Sequence, residues 1–173
     1  DGTIDFWIAK QPNLNSVKKT KHSVRKEEVT CFSLTSYLQD KKYPNFIKMD
    51  VEGHEVKIFE GGLDYFAENK GRTNFLVEVH PHFYDKDNDF GKILKEYFKI
   101  GFNCSAVVAT PIAQPSLYRE RGYTPDRIVY TDGFMRGIYT DIENKDMIEF
   151  TCKPHHEAGS KKIARSFMIT REE

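Results

Sequence analysis

Thr3 to Ala9 alternates apolar and polar side chains and is rich in β-branched and aromatic types, the period of a half-buried strand. Gln11 to Asn15 breaks that period. Ser16 to Glu28 carries a dense run of Lys, Arg and Glu with no Phe, Tyr or Trp among them, which predicts a solvated loop rather than a base-stacking surface. Val29 to Phe32 predicts a short strand leading into a short helix over Leu34–Leu38, with Ser33 as its cap. Phe46 to Asp50 is a short, mostly apolar strand ending in an acid. After Val51-Glu52-Gly53, residues Val56, Phe59, Leu63, Phe66 and Ala67 recur at helical spacing, with a break predicted at Gly61-Gly62. Asn74 to His80 is a second strand, Phe90 to Ile100 a helix with Ile93, Leu94, Tyr97 and Phe98 on one face, and Asn103 to Ala109 a third strand. Strands alternating with helices in this way predict right-handed βαβ units and a parallel sheet covered on both faces.

The second half is less regular. Thr110 to Pro125 holds three of the seven prolines and predicts a long irregular excursion, a candidate lid. Phe134 to Ile142 and Met147 to Cys152 alternate around Glu143–Asp146, which predicts an antiparallel hairpin. Ser160 to Thr170 is weakly helical, so the chain divides into a main domain, 1–153, and a C-terminal tail, 154–173.

Charge changes the picture mainly by exclusion. Lys and Arg number 26 and Asp and Glu 26, so no long-range field favours a phosphate backbone, and nucleic acid is not an expected partner. With 39% hydrophobic and 30% charged residues the chain has the composition of a folded core. No apolar run approaches the roughly 18 to 20 residues of a spanning helix, so no membrane partner is expected. Cys31, Cys104 and Cys152 are far apart and form no CxxC pair, which fits reduced thiols in a cytoplasmic protein.

In a parallel sheet, ligands bind beyond the carboxyl ends of the strands. Here those ends deliver Asp50, Glu52 and His54 from one strand and Glu78, His80 and His82 from the other, a convergence of carboxylates and imidazoles suited to acid/base work. Gly53 is placed to open the following helix and leave free amides toward the crevice. Glu55 reads as a favourable charge at the helix N-terminus. The spacing matches no tight ligand motif such as HExxH, so no metal is expected. In the excursion, Tyr118, Arg119, Arg121 and Tyr123 are candidates for gripping a polar or anionic substrate.

The segment Ile47-Lys48-Met49-Asp50-Val51-Glu52-Gly53-His54-Glu55-Val56, followed by Phe59-Glu60-Gly61-Gly62, resembles the FkbM-type methyltransferases. Val29 to Leu38 is similar to that family's preceding strand and T-L-D-x-Y-L segment, with Thr35 and Ser36 where acids are usual, and Phe75 to His80 to its following strand. The resemblance implies a Rossmann-like class I α/β sheet that binds S-adenosylmethionine and transfers its methyl group to a hydroxyl of a sugar or secondary metabolite. On that template Phe46 to Asp50 is the fourth strand, Phe75 to His80 the fifth, and a late hairpin closes the sheet. Since no GxGxxG-like stretch occurs, the domain is expected to be truncated in its N-terminal, cofactor-loop half and to be inactive alone. The implied roles are catalytic for Asp50, His80 and Glu78, cofactor-binding for Asp50, Glu52 and Gly53, and substrate-binding for His82, Tyr118, Arg119 and Arg121. A sheet edge exposed by truncation is expected to favour a homodimer. Two other readings stand beside this one: a non-catalytic α/β module that has lost its cofactor site, and a metal-dependent hydrolase using Asp50, Glu52, His80 and His82.

Overall fold

A computed structural model describes residues 1–172. Strands β1 (Gly2–Ala9) and β2 (Ser23–Cys31) pair antiparallel as a sheet of their own, with Ile4 opposite Val29 and Asp5 beside Lys26 at 3.0 Å. Half of the basic segment expected to be a loop is therefore strand. Its alternation is hidden because the half-buried face of β2 carries Glu27 between Ser23, Val29 and Cys31, so the charged residues fall on both faces.

Helix α1 (Leu34–Leu38) starts as expected, with Ser33 Oγ accepting from the Ser36 amide at 3.0 Å. Strand β3 (Phe46–Met49) leads into α2 (Glu55–Glu68), which runs unbroken through Gly61-Gly62. Gly62 serves a close approach instead: a Cβ there would lie 2.9 Å from Leu34 Cδ2 and 3.1 Å from the Tyr97 hydroxyl, so its absence lets α1 pack onto α2. Strand β4 (Thr73–Glu78), α3 (Phe90–Lys99, capped by Asp89) and β5 (Asn103–Ala109) follow as the periodicity predicts.

The six-stranded sheet has the order β3-β4-β8-β5-β7-β6, completed by β6 (Arg127–Thr131), β7 (Phe134–Tyr139) and β8 (Ala164–Arg171). Among the described strands only β3 and β4 are parallel neighbours, so the expected parallel sheet with one closing antiparallel hairpin is corrected to a mostly antiparallel one. β4 and β5 do point the same way across α3, but β8 lies between them and opposes both. This strand occupies the segment expected to be a weakly helical tail. Its partly exposed positions are Arg165, Ser166, Met168 and Thr170, which interrupt the buried Phe167 and Ile169, and Arg171 is buried because its guanidinium donates to the carbonyls of Phe66, Asn69 and Gly71 and to the Tyr43 hydroxyl.

The closing hairpin is also displaced. It is β6–β7, turning at Asp132-Gly133 with φ of 52° and 80°, the left-handed pair that an Asp-Gly turn supplies. The segment expected to be its second strand is instead α5 (Asn144–Cys152), which buries Met147, Phe150 and Thr151 at helical spacing. Between β5 and β6, the excursion contains a short helix, α4 (Ser116–Glu120). One aromatic cluster, with Phe59, Phe66, Phe75, Phe90, Tyr97 and Phe102 all fully buried, joins α2 and α3 to the sheet.

Candidate active site

The carboxyl ends of β3 and β4 and the amino end of β8 meet at one edge of the sheet. Leaving β3, the chain passes Asp50 and turns sharply, with Glu52 at φ 51° and Gly53 at φ 90°. Gly53 is required on two counts: its backbone is left-handed, and a Cβ would lie 2.5 Å from Phe83 Cβ. The turn reverses the chain so that Glu52 faces the crevice and Glu55 begins α2 facing inward.

Glu55 is fully buried. Its Oε1 accepts from the Gly53 amide at 3.2 Å and lies 2.9 Å from His80 Nδ1, while Oε2 accepts from the Tyr84 hydroxyl at 3.3 Å. His54, the residue before the helix, supplies no side-chain cap, and the Glu55 carboxylate occupies the positive end of the helix in its place. The amide of Gly53 is thus committed to Glu55 and is not free toward the crevice as expected.

His80 follows β4 and is 6% exposed. Its Nε2 faces the crevice, 3.5 Å from Glu52 Oε2 and 3.9 Å from Asp50 Oδ1. Burial alone lowers the His80 pKa, but the hydrogen bond to Glu55 and the charges of Glu52 and Glu55 outweigh it and hold the ring above the ordinary histidine value. Burial raises the Glu55 pKa, and the bonds from His80 and from the amides of Glu55 and Gly53 outweigh that in turn, so the carboxyl sits below its ordinary value. The two shifts agree: Glu55 is an anion, and an anion only accepts, so Nδ1 carries a proton.

The third wall comes from β8 and the loop before it. Lys162 Nζ donates to the Val79 carbonyl at 2.8 Å and lies 3.8 Å from Glu78, and Arg165 lies 3.5 Å from Glu78 and 2.9 Å from Asp132. Burial lowers the Lys162 pKa, opposed by Glu78. Asp50, Glu78 and His80 each bring one donor atom within 4.8 Å of the others. Glu78 is already matched by Lys162 and Arg165, and His80 by Glu55, while Asp50 lies 3.9 Å from the His80 ring. A cavity of about 560 Å³ opens beside it, lined by Phe6, Ser16, Val17, Asp50, Glu52 and Ile58.

Of the residues singled out in the sequence, Asp50, Glu52, Glu78 and His80 converge, and His82 stands on the same turn with its ring 6.3 Å from that of His80. Burial and the charge of His80 lower the His82 pKa. The residues of the excursion do not join them. Tyr118 is fully buried against Tyr139 and Phe150, at ring separations of 4.8 and 4.1 Å, so its expected substrate contact is corrected to a core role. Arg121 pairs with Asp146 at 2.5 Å, Tyr123 donates to the same carboxylate at 2.8 Å, and Arg119 is exposed on α4. The loop is braced rather than a free lid: the Ser116 amide and hydroxyl both donate to Glu157.

Sequence reasoning missed three site residues. Lys162 and Arg165 gave no signal, because they belong to β8 and the loop before it, the segment expected to be a tail. Glu55 gave a signal, an acid one residue into the helix, but helix-end electrostatics explains such an acid equally well.

The sequence profile described as the Methyltransferase FkbM domain matches residues 3–104, more than half of the chain. Comparison with curated proteins and with solved structures returns no match. The matched span contains β1 to β4, α2 and all of the crevice except its β8 wall.

Proposed function

The chain belongs to the FkbM methyltransferase domain family, and on that premise we propose that it serves S-adenosylmethionine-dependent transfer of a methyl group to a hydroxyl oxygen of a sugar or secondary metabolite. The observation that carries this reading is His80: a ring fixed from behind by a buried carboxylate, with Nε2 turned to a crevice beside an open cavity. S-adenosylmethionine, when bound, supplies a methyl group already activated on a cationic sulfonium. The residues suit that charge, because the Asp50 and Glu52 carboxylates line the cavity wall, no Lys or Arg among the described residues lines it with them, and burial lowers the pKa of His54, which does. Alignment then dominates the rate. His80 Nε2 would take the hydroxyl proton of an acceptor whose oxygen receives the methyl group that bound S-adenosylmethionine would supply. Asp50 and Glu52 orient the reacting groups, and Glu78, held by Lys162 and Arg165, is the reserve proton acceptor. His82, at the mouth, faces the acceptor.

The strand order β3-β4-β8-β5, with an antiparallel strand between two that point the same way, supports a Rossmann-like class I sheet of which β3 begins the described part. β3 is a sheet edge with Phe46 half exposed, which supports pairing of that edge with another chain.

Calorimetric titration of the chain with S-adenosylhomocysteine tests the reading. Micromolar binding is expected, and S-adenosylmethionine, titrated in the same way, is expected to bind at least about tenfold more weakly to Asp50→Asn, from loss of one charge against its sulfonium. No binding by the parent chain removes the cofactor from this reading.

A further inference from the structure

We propose that Glu55, with Tyr84, is a positioning residue that holds the His80 ring in a single orientation and a single tautomer, Nδ1 protonated and Nε2 bare toward the crevice. The inference deepens the reading of His80 as proton acceptor and rests on it for its purpose, although its test does not.

The geometry is a closed circuit. Glu55 accepts from His80 Nδ1 through Oε1 and from the Tyr84 hydroxyl through Oε2, while the Tyr84 oxygen in turn accepts the His80 backbone amide at 3.2 Å. Ring and backbone of one residue are thus tied to the same carboxylate, from α2 and from the turn after β4. Rotation of the imidazole by half a turn would set a carbon against Glu55 and leave its carboxylate without its strongest partner. A carboxylate at zero exposure is also an expensive way to fill this space, since a well-packed apolar group of the same volume is commonly neutral or stabilising where a buried ion pair stood. Packing alone therefore does not account for Glu55. Fixing one tautomer of a histidine whose other nitrogen must accept a proton does account for it.

The groups facing His80 allow no other donor or acceptor this role. Asp50 and Glu52 stand on the Nε2 side, Glu78 is engaged by Lys162 and Arg165, Lys162 donates to the Val79 carbonyl, and His82 is exposed beyond the ring. Among the described residues only Glu55 meets Nδ1.

Nitrogen-15 NMR of the ring in the full chain, with His80 assigned by comparison with His80→Gln, tests the inference without cofactor or turnover. The expected parent spectrum shows the neutral ring with Nδ1 protonated. In Glu55→Gln, which keeps an oxygen for the Gly53 amide, the ring is expected to populate both tautomers and its titration midpoint to fall by about one pH unit or more. Tyr84→Phe, which removes one hydroxyl, is expected to admit the second tautomer to a smaller extent, and it decides the question should Glu55→Gln not fold. A parent ring protonated at Nε2, or variants whose tautomer and midpoint match the parent, would overturn the proposal. Failure of the chain to bind S-adenosylhomocysteine leaves these spectra unchanged, so it counts against the methyl-transfer reading alone.

Discussion

Glu55 and Asp146 are the same device used at two ends of the molecule. Each is a buried acid in the first turn of a helix, α2 and α5, and each is bonded to a tyrosine and to a positively charged or chargeable side chain. The difference lies in what the partner does with its other side. The Arg121 side chain is 45% exposed and ends in solvent, and a guanidinium has no lone pair to offer, so the Asp146 group braces the loop after β5 against α5 and does nothing more. The His80 side chain is 8% exposed, and the nitrogen not held by Glu55 looks into the crevice between Asp50 and Glu52. A buried carboxylate makes a brace or a tunable base according to its partner, and burial by itself does not distinguish the two.

The largest contrast is expected from truncating the acids. Glu55→Ala strands a nearly buried imidazole, the Tyr84 hydroxyl and the Gly53 amide, and should destabilise the chain by about 3 kcal/mol. Asp146→Ala leaves an arginine that solvent can reach and should cost about 1 kcal/mol. Urea unfolding of the two variants measures both, and equal losses would erase the distinction.

A smaller effect is expected from pH. His80 has its pKa raised on folding, so its share of stability is complete below 6.5, the ordinary value, and fades as pH climbs through the folded value. Glu55 has its pKa lowered, so its share is complete above 4.5 and fades as pH falls through the folded value. The pair therefore contributes fully between pH 4.5 and 6.5. The stability gap between the parent and Glu55→Gln should be widest in that window and narrow on the alkaline side, whereas a gap identical at mildly acidic and alkaline pH would contradict the pairing. Methyl transfer should run the other way, rising with pH through the His80 midpoint as the neutral ring becomes the major form. The smallest effect is expected from the tyrosines. Tyr84→Phe and Tyr123→Phe should each cost under about 1 kcal/mol in the same unfolding assay, but only Tyr84→Phe should alter the pH profile of transfer.

Much of the first half was legible because its signals are local. The alternation of Thr3 to Ala9, the Ser33 cap, the apolar run of Phe46 to Met49 ending in Asp50, and the helical spacing of Ile93, Leu94 and Tyr97 each act within a few residues, and all hold in the structure. The convergence of Asp50, Glu52, Glu78 and His80 was legible for the same reason, since two neighbouring parallel strands must deliver their carboxyl ends to one edge. The second half misled where pattern and partner disagree. Met147 to Cys152 alternates well enough for a strand, but helix α5 satisfies the same apolar positions by burying Met147 and Phe150 three apart. Arg119 and Arg121 looked like substrate contacts because nothing in the sequence reveals that Asp146 takes Arg121.

The sequence by itself determined the strand–turn–helix unit around Asp50, its family, and which acids and imidazoles gather at the sheet edge. Tertiary structure alone decided that β8 enters the sheet between β4 and β5, carrying Lys162 and Arg165 to Glu78, and that Glu55 turns inward to meet His80. The physical reason is separation along the chain. The partner of Glu55 lies 25 residues away, and the Lys162 amine reaches a carbonyl 83 residues away. Local propensity carries no information about such pairs, which form only when the packed sheet brings their elements together.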